Sequence, residues 1–125
     1  MLYWADLKKY DMSQPQESFS RAPEVAKKYN EHKHRLALKG ITIEQYIKQT
    51  ILNNAAHALV DNEFRYNIDE AISHKLFWSS QSISMSEARK LAIEYYNPRD
   101  IIILENPLHM RSVPGLLHYH LFLIS

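Results

Sequence analysis

The chain has 125 residues, of which 46% are hydrophobic and 23% are charged. These proportions fit one globular domain and exclude a disordered chain. The 15 basic and 14 acidic residues give a formal net charge of +1, so overall charge does not indicate a nucleic-acid-binding protein. Without cysteine the chain can form neither a disulfide nor a thiol-based site, which favours a reducing compartment such as the cytoplasm.

The sequence also argues against a membrane or secreted protein and against a glycine-rich phosphate loop. The first six residues contain no cationic segment followed by an apolar one, so we predict no signal peptide. The longest apolar run, near Leu116–Ile124, is interrupted by two histidines and is too short to span a bilayer. With only two glycines in the chain, a bound phosphate would need side chains or a strand edge to hold it.

We predict a single domain, 1–125, whose first part (1–54) is helical. Pro23 would stand in the first turn of a helix, where its missing N–H costs nothing, and Gly40 would end that helix. A second helix is predicted to begin after Thr42 as its N-cap and to bury one face. That face carries four residues: Ile43, Tyr46, Ile47 and Ile51.

The second part (55–125) is predicted to form an antiparallel sheet with a crossing helix. Four segments have strand patterns: Ala56–Val60, Ala71–Trp78, Asp100–Glu105 and Leu116–Ile124. Ser84 and Glu87 form a capping box, which predicts the start of a helix that ends at Asn97-Pro98. This order of elements predicts an α+β fold with the helices on one side of the sheet.

Histidines on the predicted strands are the candidate catalytic residues. His118 and His120 are two positions apart on a strand, so their side chains share a face, and His74 lies on another strand. Imidazoles can attack phosphorus, transfer protons or bind a metal near neutral pH. The predicted substrate-binding residues lie on the loop before His118 or on the strand of His74, and they are Asn106, Arg111, Ser112 and Trp78.

The same residues also have a structural interpretation. A single histidine inside a strand is more often a hydrogen-bonded core residue than a catalyst, which applies to His74 taken alone. Trp78 is also typical of a core position. His32 and His34 lie on a basic helix and are expected to face solvent.

Several segments resemble one family over nearly the whole chain. They are Ser20-Arg21-Ala22-Pro23-Glu24, Ser73-His74-Lys75-Leu76-Phe77-Trp78-Ser79, Glu105-Asn106-Pro107, Arg111-Ser112-Val113 and His118-Tyr119-His120-Leu121-Phe122. The family is an uncharacterised one, typified by a fungal N-acetylglucosamine-induced protein and with members that look viral. It brings no established activity.

A second resemblance is to the histidine-triad (HIT) nucleotide hydrolases and transferases. The shared order is a strand with one histidine, a helix, a strand ending in Asn, a Ser-Val loop and a His-x-His strand. In this sequence the corresponding parts, in the same order, are His74, residues 86–96, Asn106, Ser112-Val113 and His118-x-His120. The resemblance implies a HIT-like fold, with His120 as nucleophile and His118 and His74 as its partners. It also implies that Asn106 and Ser112 contact ribose or phosphate, and Phe122 stands where a third histidine would be.

Three functions remain open from the sequence. The first is a nucleotide or sugar-nucleotide phosphohydrolase or transferase in which His120 forms a phosphohistidine intermediate. The second, favoured by Phe122, is a non-catalytic module that binds a nucleotide or an RNA end. The third is a metal site made of His74, His118 and His120. No cofactor is expected, and a homodimer is implied only by the HIT resemblance.

Overall fold

A computed structural model describes residues 1–13, 20–105 and 116–125 of the chain. Its elements, in order, are α1 (Trp4–Lys8), α2 (Pro23–Leu38), α3 (Ile43–Tyr46), a π-helical segment (Ile47–Leu52), β1 (His57–Asp61), β2 (Ser73–Ser79), α4 (Met85–Tyr96), β3 (Asp100–Glu105) and β4 (Leu117–Ile124). The strands form one four-stranded sheet in the order β1-β2-β4-β3, and neighbouring strands are antiparallel. The predicted α+β class is confirmed.

The helices begin and end at the signals found in the sequence. Pro23 is the first residue of α2, and Gly40 just beyond its end has a φ of 69°, which glycine adopts without strain. The Thr42 hydroxyl accepts a hydrogen bond from the Gln45 backbone N–H at 3.1 Å and so caps α3. The short helix α1 was not predicted, because its five residues form little more than one turn.

Helices cover both faces of the sheet, which corrects the prediction that they lie on one side. The face that carries His74, His118 and His120, called the histidine face below, packs against the N-terminal part of the chain. On the opposite face Phe77 and its neighbours pack against α4. The reason lies in β4, whose alternate positions are buried on both sides, so each face requires a cover.

Residues 11–13 lie along the outer edge of β3, whereas Leu2 pairs with Ile68. The Met12 backbone N–H donates to the Ile103 carbonyl at 2.8 Å, and the Glu105 N–H donates to the Ser13 carbonyl at 2.9 Å. The Asp11 carboxylate accepts from the Ile103 N–H at 3.0 Å and pairs with Arg89 of α4 at 2.9 Å. This segment therefore connects β3 to the helix behind the sheet.

The Ile47→Ala variant tests how the π-helical segment is held. Ile47 is 4% exposed and packs in a cluster with Leu52, Trp78 and Leu116. Truncating it leaves a cavity, so we expect the free energy of unfolding to fall by about 2–5 kcal/mol in urea titrations. Lys48→Ala, at an exposed position beside it, is the matched control. An unchanged denaturation midpoint for Ile47→Ala would show that this packing is not part of the core.

Candidate functional site

A cavity of about 620 Å³ lies between the histidine face and the N-terminal helices. Its walls come from Arg21 just before α2, from the middle of α2, from α3 and the π-helical segment, and from residues 60–66. Its floor, called the cavity floor below, consists of Tyr66, Trp78, His118 and His120. The volume falls within the range of small-molecule sites in proteins.

The structure brings the three predicted histidines to one face, but only two of them reach the cavity. His118 and His120 are 6% and 3% exposed and line the cavity. His74 is 4% exposed and pairs with Phe122 in the β2–β4 register. It lies behind His120, so the cavity lining contains His118 and His120 without His74.

Tyr66, His74 and His120 form a chain of hydrogen bonds. The Tyr66 backbone N–H donates to His74 Nδ1 at 3.2 Å, and His74 Nε2 lies 2.9 Å from His120 Nδ1. His120 Nε2 in turn lies 3.4 Å from the Tyr66 hydroxyl oxygen. Below, these three contacts are called the Tyr66–His74–His120 chain.

The hydrogen bond from the Tyr66 N–H to His74 Nδ1 determines which atom donates in the contacts that follow. A backbone N–H can only donate, so His74 Nδ1 must be a lone-pair acceptor and neutral His74 carries its proton on Nε2. His74 Nε2–H then donates to His120 Nδ1, which leaves the proton of His120 on Nε2. These proton positions are assigned from the geometry of the hydrogen bonds.

Burial keeps both histidines of the chain neutral at pH 7. Desolvation, together with the positive charges of Arg65 and Arg21, lowers the pKa of His74 to about 3. Desolvation also holds the pKa of His120 well below its ordinary value, with added contributions from His74, His118 and Arg21. Each imidazole therefore offers one donor and one acceptor.

Aromatic and amide groups hold the two rings in place. Phe122 is fully buried and stacks on His74 with ring centroids 4.5 Å apart, while Tyr66 stacks on His120 at 5.1 Å. The Asn62 side-chain oxygen accepts from the Phe64 N–H at 2.9 Å, so its amide nitrogen is a donor, which lies 3.4 Å from His74 Nδ1 and 3.3 Å from Nε2. With the His74 proton on Nε2, only Nδ1 can accept from this amide. The His74 and His120 rings are thus held in place by packing as well as by hydrogen bonds.

Arg21 supplies a cation to the cavity wall and was not identified from the sequence. Its Nε donates to the Phe64 carbonyl at 2.6 Å, and its guanidinium lies 4.3 Å from the centroid of the Tyr29 ring. Acidic side chains are also present in the wall, at Asp61 and Glu63, but Asp61 is paired with Lys75. The only signal for Arg21 in the sequence is its place in the Ser20–Glu24 segment.

Trp78, predicted to bind substrate or to lie in the core, does line the cavity. It is 6% exposed and packs on His118 with ring centroids 4.5 Å apart. Its indole Nε1 is buried without a hydrogen-bond acceptor among the residues that the structure describes. A buried donor of this kind costs about 1–3 kcal/mol unless another molecule accepts its hydrogen bond.

Other predicted residues cannot be placed. Asn106, Arg111 and Ser112 lie outside the described residues, so their substrate-binding roles stay predictions.

Within 1–13, 20–105 and 116–125, no three histidine or carboxylate side chains are grouped as a metal ion would need. The metal alternative thus finds no support there, because His74 and His120 turn their facing nitrogens toward each other. No helix in the described part of the chain is long and apolar enough to cross a membrane.

The fold and the site define an α+β protein with buried histidines at the floor of a ligand-sized cavity. The chain belongs to the DUF3605 family of proteins of unknown function, whose family model matches residues 3–124. This confirms the prediction of an uncharacterised family. A solved structure described as the crystal structure of HTC1 is similar to the chain, with 22% identity and a TM-score of 0.68. The match covers 100% of this chain and 86% of that one, which supports the fold alone. A comparison with curated proteins finds no match.

Proposed function

We propose that this protein binds a nucleotide, or a closely related phosphorylated aromatic molecule, in the cavity on the histidine face. The observation that carries the proposal is the composition of the cavity lining, where aromatic rings, one arginine and buried nitrogen donors meet in about 620 Å³. Aromatic walls favour a flat base through stacking. The guanidinium of Arg21 suits a phosphate group.

Within this proposal, the Tyr66–His74–His120 chain favours binding over nucleophilic catalysis. A nucleophilic histidine attacks phosphorus with the lone pair of a ring nitrogen. The hydrogen bond from His74 occupies the lone pair on Nδ1 of His120 and leaves the proton on Nε2. Phe122, at the position of the missing third histidine, is fully buried and cannot transfer protons.

The likeness to the HIT fold belongs to the same proposal. Its support is the order of elements, with His74 on β2, then α4, β3, and both His118 and His120 on β4. The kinship with a fungal N-acetylglucosamine-induced protein, binding of an RNA end, a homodimer and a cytoplasmic location stay predictions.

Catalysis by His120 is the second candidate function, because His118 and His120 both line the cavity. It would require His120 to move its proton to Nδ1 and so to break the hydrogen bond from His74. Phosphohistidine formation is measurable as a mass increase of the intact protein after incubation with a nucleotide. We expect no such adduct, and its appearance in the wild type together with its loss in His120→Ala would establish the enzyme instead.

Ligand binding itself is tested by thermal unfolding and calorimetry with UMP, AMP, ADP and a cap-type dinucleotide. A nucleotide at a hundred times its Kd should stabilise the protein by about 2.7 kcal/mol. Arg21→Ala should weaken binding roughly tenfold, because it removes the charge-assisted contact to phosphate. Arg35→Ala, which removes an exposed arginine on α2, is the matched control. If none of the four ligands shifts the unfolding temperature at millimolar concentration, the proposal is wrong for nucleotides.

A further inference from the structure

We propose that the Tyr66 backbone N–H, acting through His74, fixes His120 as its Nε2–H tautomer, so that the cavity floor selects ligands presenting an acceptor oxygen. This inference deepens the proposed function and rests on it for the identity of the ligand. It assigns a role to His74, which lies outside the cavity lining. His74 is a positioning residue that acts on the ligand only through His120.

The Tyr66 backbone N–H is a group that can only donate a hydrogen bond. Most histidine pairs have two equivalent arrangements, because either ring can be the donor. Here the Tyr66 N–H points at His74 Nδ1 and removes one of them, since that nitrogen cannot also carry a proton. His74 therefore carries its proton on Nε2, and the 2.9 Å contact with His120 Nδ1 makes that second nitrogen the acceptor.

The low dielectric of the site maintains this arrangement. If the hydrogen bond between the two histidines ran in the opposite direction, His74 Nδ1 would carry a proton and face the Tyr66 N–H. Otherwise a donor of the histidine pair would have no acceptor. A buried polar group left without a partner is costly. Both rings are nearly inaccessible to solvent, with His74 at 4% and His120 at 3% exposure, so water offers no alternative partner of low cost.

The fixed proton gives the cavity floor its chemical preference. His120 Nε2–H lies beside the Tyr66 hydroxyl at 3.4 Å, a long contact that a ligand oxygen can improve on. Trp78 Nε1–H is a donor in every state, and it finds no acceptor among the described residues. The N–H of His120, on a floor that Trp78 shares, suits an oxygen acceptor, either the carbonyl of a base or an oxygen of a phosphate.

The tautomer is measurable without any ligand. The ¹⁵N chemical shifts of the imidazole nitrogens distinguish protonated from unprotonated positions in each histidine. In the wild-type protein at pH 7.5 we expect both His74 and His120 to be protonated on Nε2 alone. A wild-type spectrum with the His120 proton on Nδ1 would overturn the inference.

The His74→Phe variant tests whether His74 transmits the choice. It retains a ring but removes the donor to His120, so the His120 proton should no longer be confined to Nε2. Phe122→Leu, which alters the ring stacked on His74 and leaves the hydrogen bonds in place, is the matched control and should keep the wild-type pattern. An unchanged His120 pattern in His74→Phe would show that His74 does not set the tautomer.

Calorimetry with four probes identifies the acceptor. UMP and CMP differ in a carbonyl against an amino group on the base, uridine lacks the phosphate, and inorganic phosphate lacks the nucleoside. If the floor receives a base carbonyl, UMP should bind roughly tenfold or more tightly than CMP. If it receives phosphate, UMP and CMP should bind alike, uridine should bind roughly tenfold more weakly, and inorganic phosphate should compete. In both cases His74→Phe should abolish the preference, and Phe122→Leu should retain it.

Two results separate this inference from the proposed function. Equal binding of UMP and CMP, with uridine weaker and the same pattern in His74→Phe, would overturn the acceptor preference while leaving nucleotide binding and the Arg21 contact to phosphate intact. Failure of all four probes to bind, with the ¹⁵N pattern as expected, would overturn nucleotide binding and its acceptor preference while supporting the assigned tautomer.

Discussion

Phe122→Ala is expected to lower the free energy of unfolding by about 3–5 kcal/mol, because it leaves a large void in a closed cluster. Phe122 has no exposed surface, stacks on His74 and packs with Leu7, Ile102 and Leu104. Urea titration followed by tryptophan fluorescence measures the change. A loss below about 1 kcal/mol would mean that the cluster is not closed around this ring.

Phe122→His, the change that would complete a histidine triad in the sequence, is the informative comparison. The structure places the new imidazole within the core instead of the cavity, where its polar atoms would lack water. We expect this variant to be destabilised and to gain no nucleotide hydrolysis. Ile93→His, at an exposed position on α4, is the control for adding a histidine, and it should leave stability within about 0.5 kcal/mol.

Lowering the pH from 7.5 to 5 is expected to reduce the free energy of unfolding by about 4 kcal/mol through His74 and His120 together. Both have folded-state pKa values below the ordinary 6.5. Below pH 6.5 these histidines bind protons in the unfolded chain but stay neutral in the folded one. Their contribution to the free energy of unfolding is therefore complete above pH 6.5 and is lost as the pH falls toward the folded-state pKa. Each histidine that stays neutral in the folded protein contributes about 2 kcal/mol of this loss at pH 5.

Variants test whether the buried histidines cause the decrease in the free energy of unfolding at low pH. His74→Phe should reduce the pH dependence by roughly half, since one of the two histidines of the Tyr66–His74–His120 chain no longer titrates. His34→Gln, on the exposed surface of α2, is the control for replacing a histidine outside the cavity. The chief charges acting on His74 are those of Arg65 and Arg21, which stay charged throughout this range. A free energy of unfolding that is flat between pH 7.5 and 5 would contradict the neutral, buried state of both rings.

Much of the fold was predictable from local chemistry. Ser84 caps α4 by accepting from the Glu87 N–H at 3.1 Å, and β3 coincides with the predicted strand Asp100–Glu105. These features depend on a few adjacent residues. The covering of both sheet faces was not predicted, since it depends on how distant segments pack. The π-helical end of the second helix was also missed, because the change in its hydrogen bonds leaves the apolar spacing nearly unaltered.

The site was predictable only in part, for a related reason. The period of two in a strand places His118 and His120 on one face, and the structure has them so. The contact between His74 and His120 depends on the register of β2 against β4, which nothing in either strand specifies alone. Tyr66 and Arg21 reach the cavity from irregular segments far along the chain, where no periodic pattern exists to indicate their facing.

The attachment of residues 11–13 to β3 has a consequence for the behaviour of the protein at high concentration. A sheet edge with unpaired N–H and C=O groups is a template for intermolecular pairing and aggregation. β3 carries four consecutive buried apolar residues, Ile101, Ile102, Ile103 and Leu104, and such a strand would be a hazard if its edge were open. Hydrogen bonds to Met12 and Ser13 and to Asp11 occupy that edge at Ile103 and Glu105, so residues 11–13 shield this part of the strand from strands of other molecules.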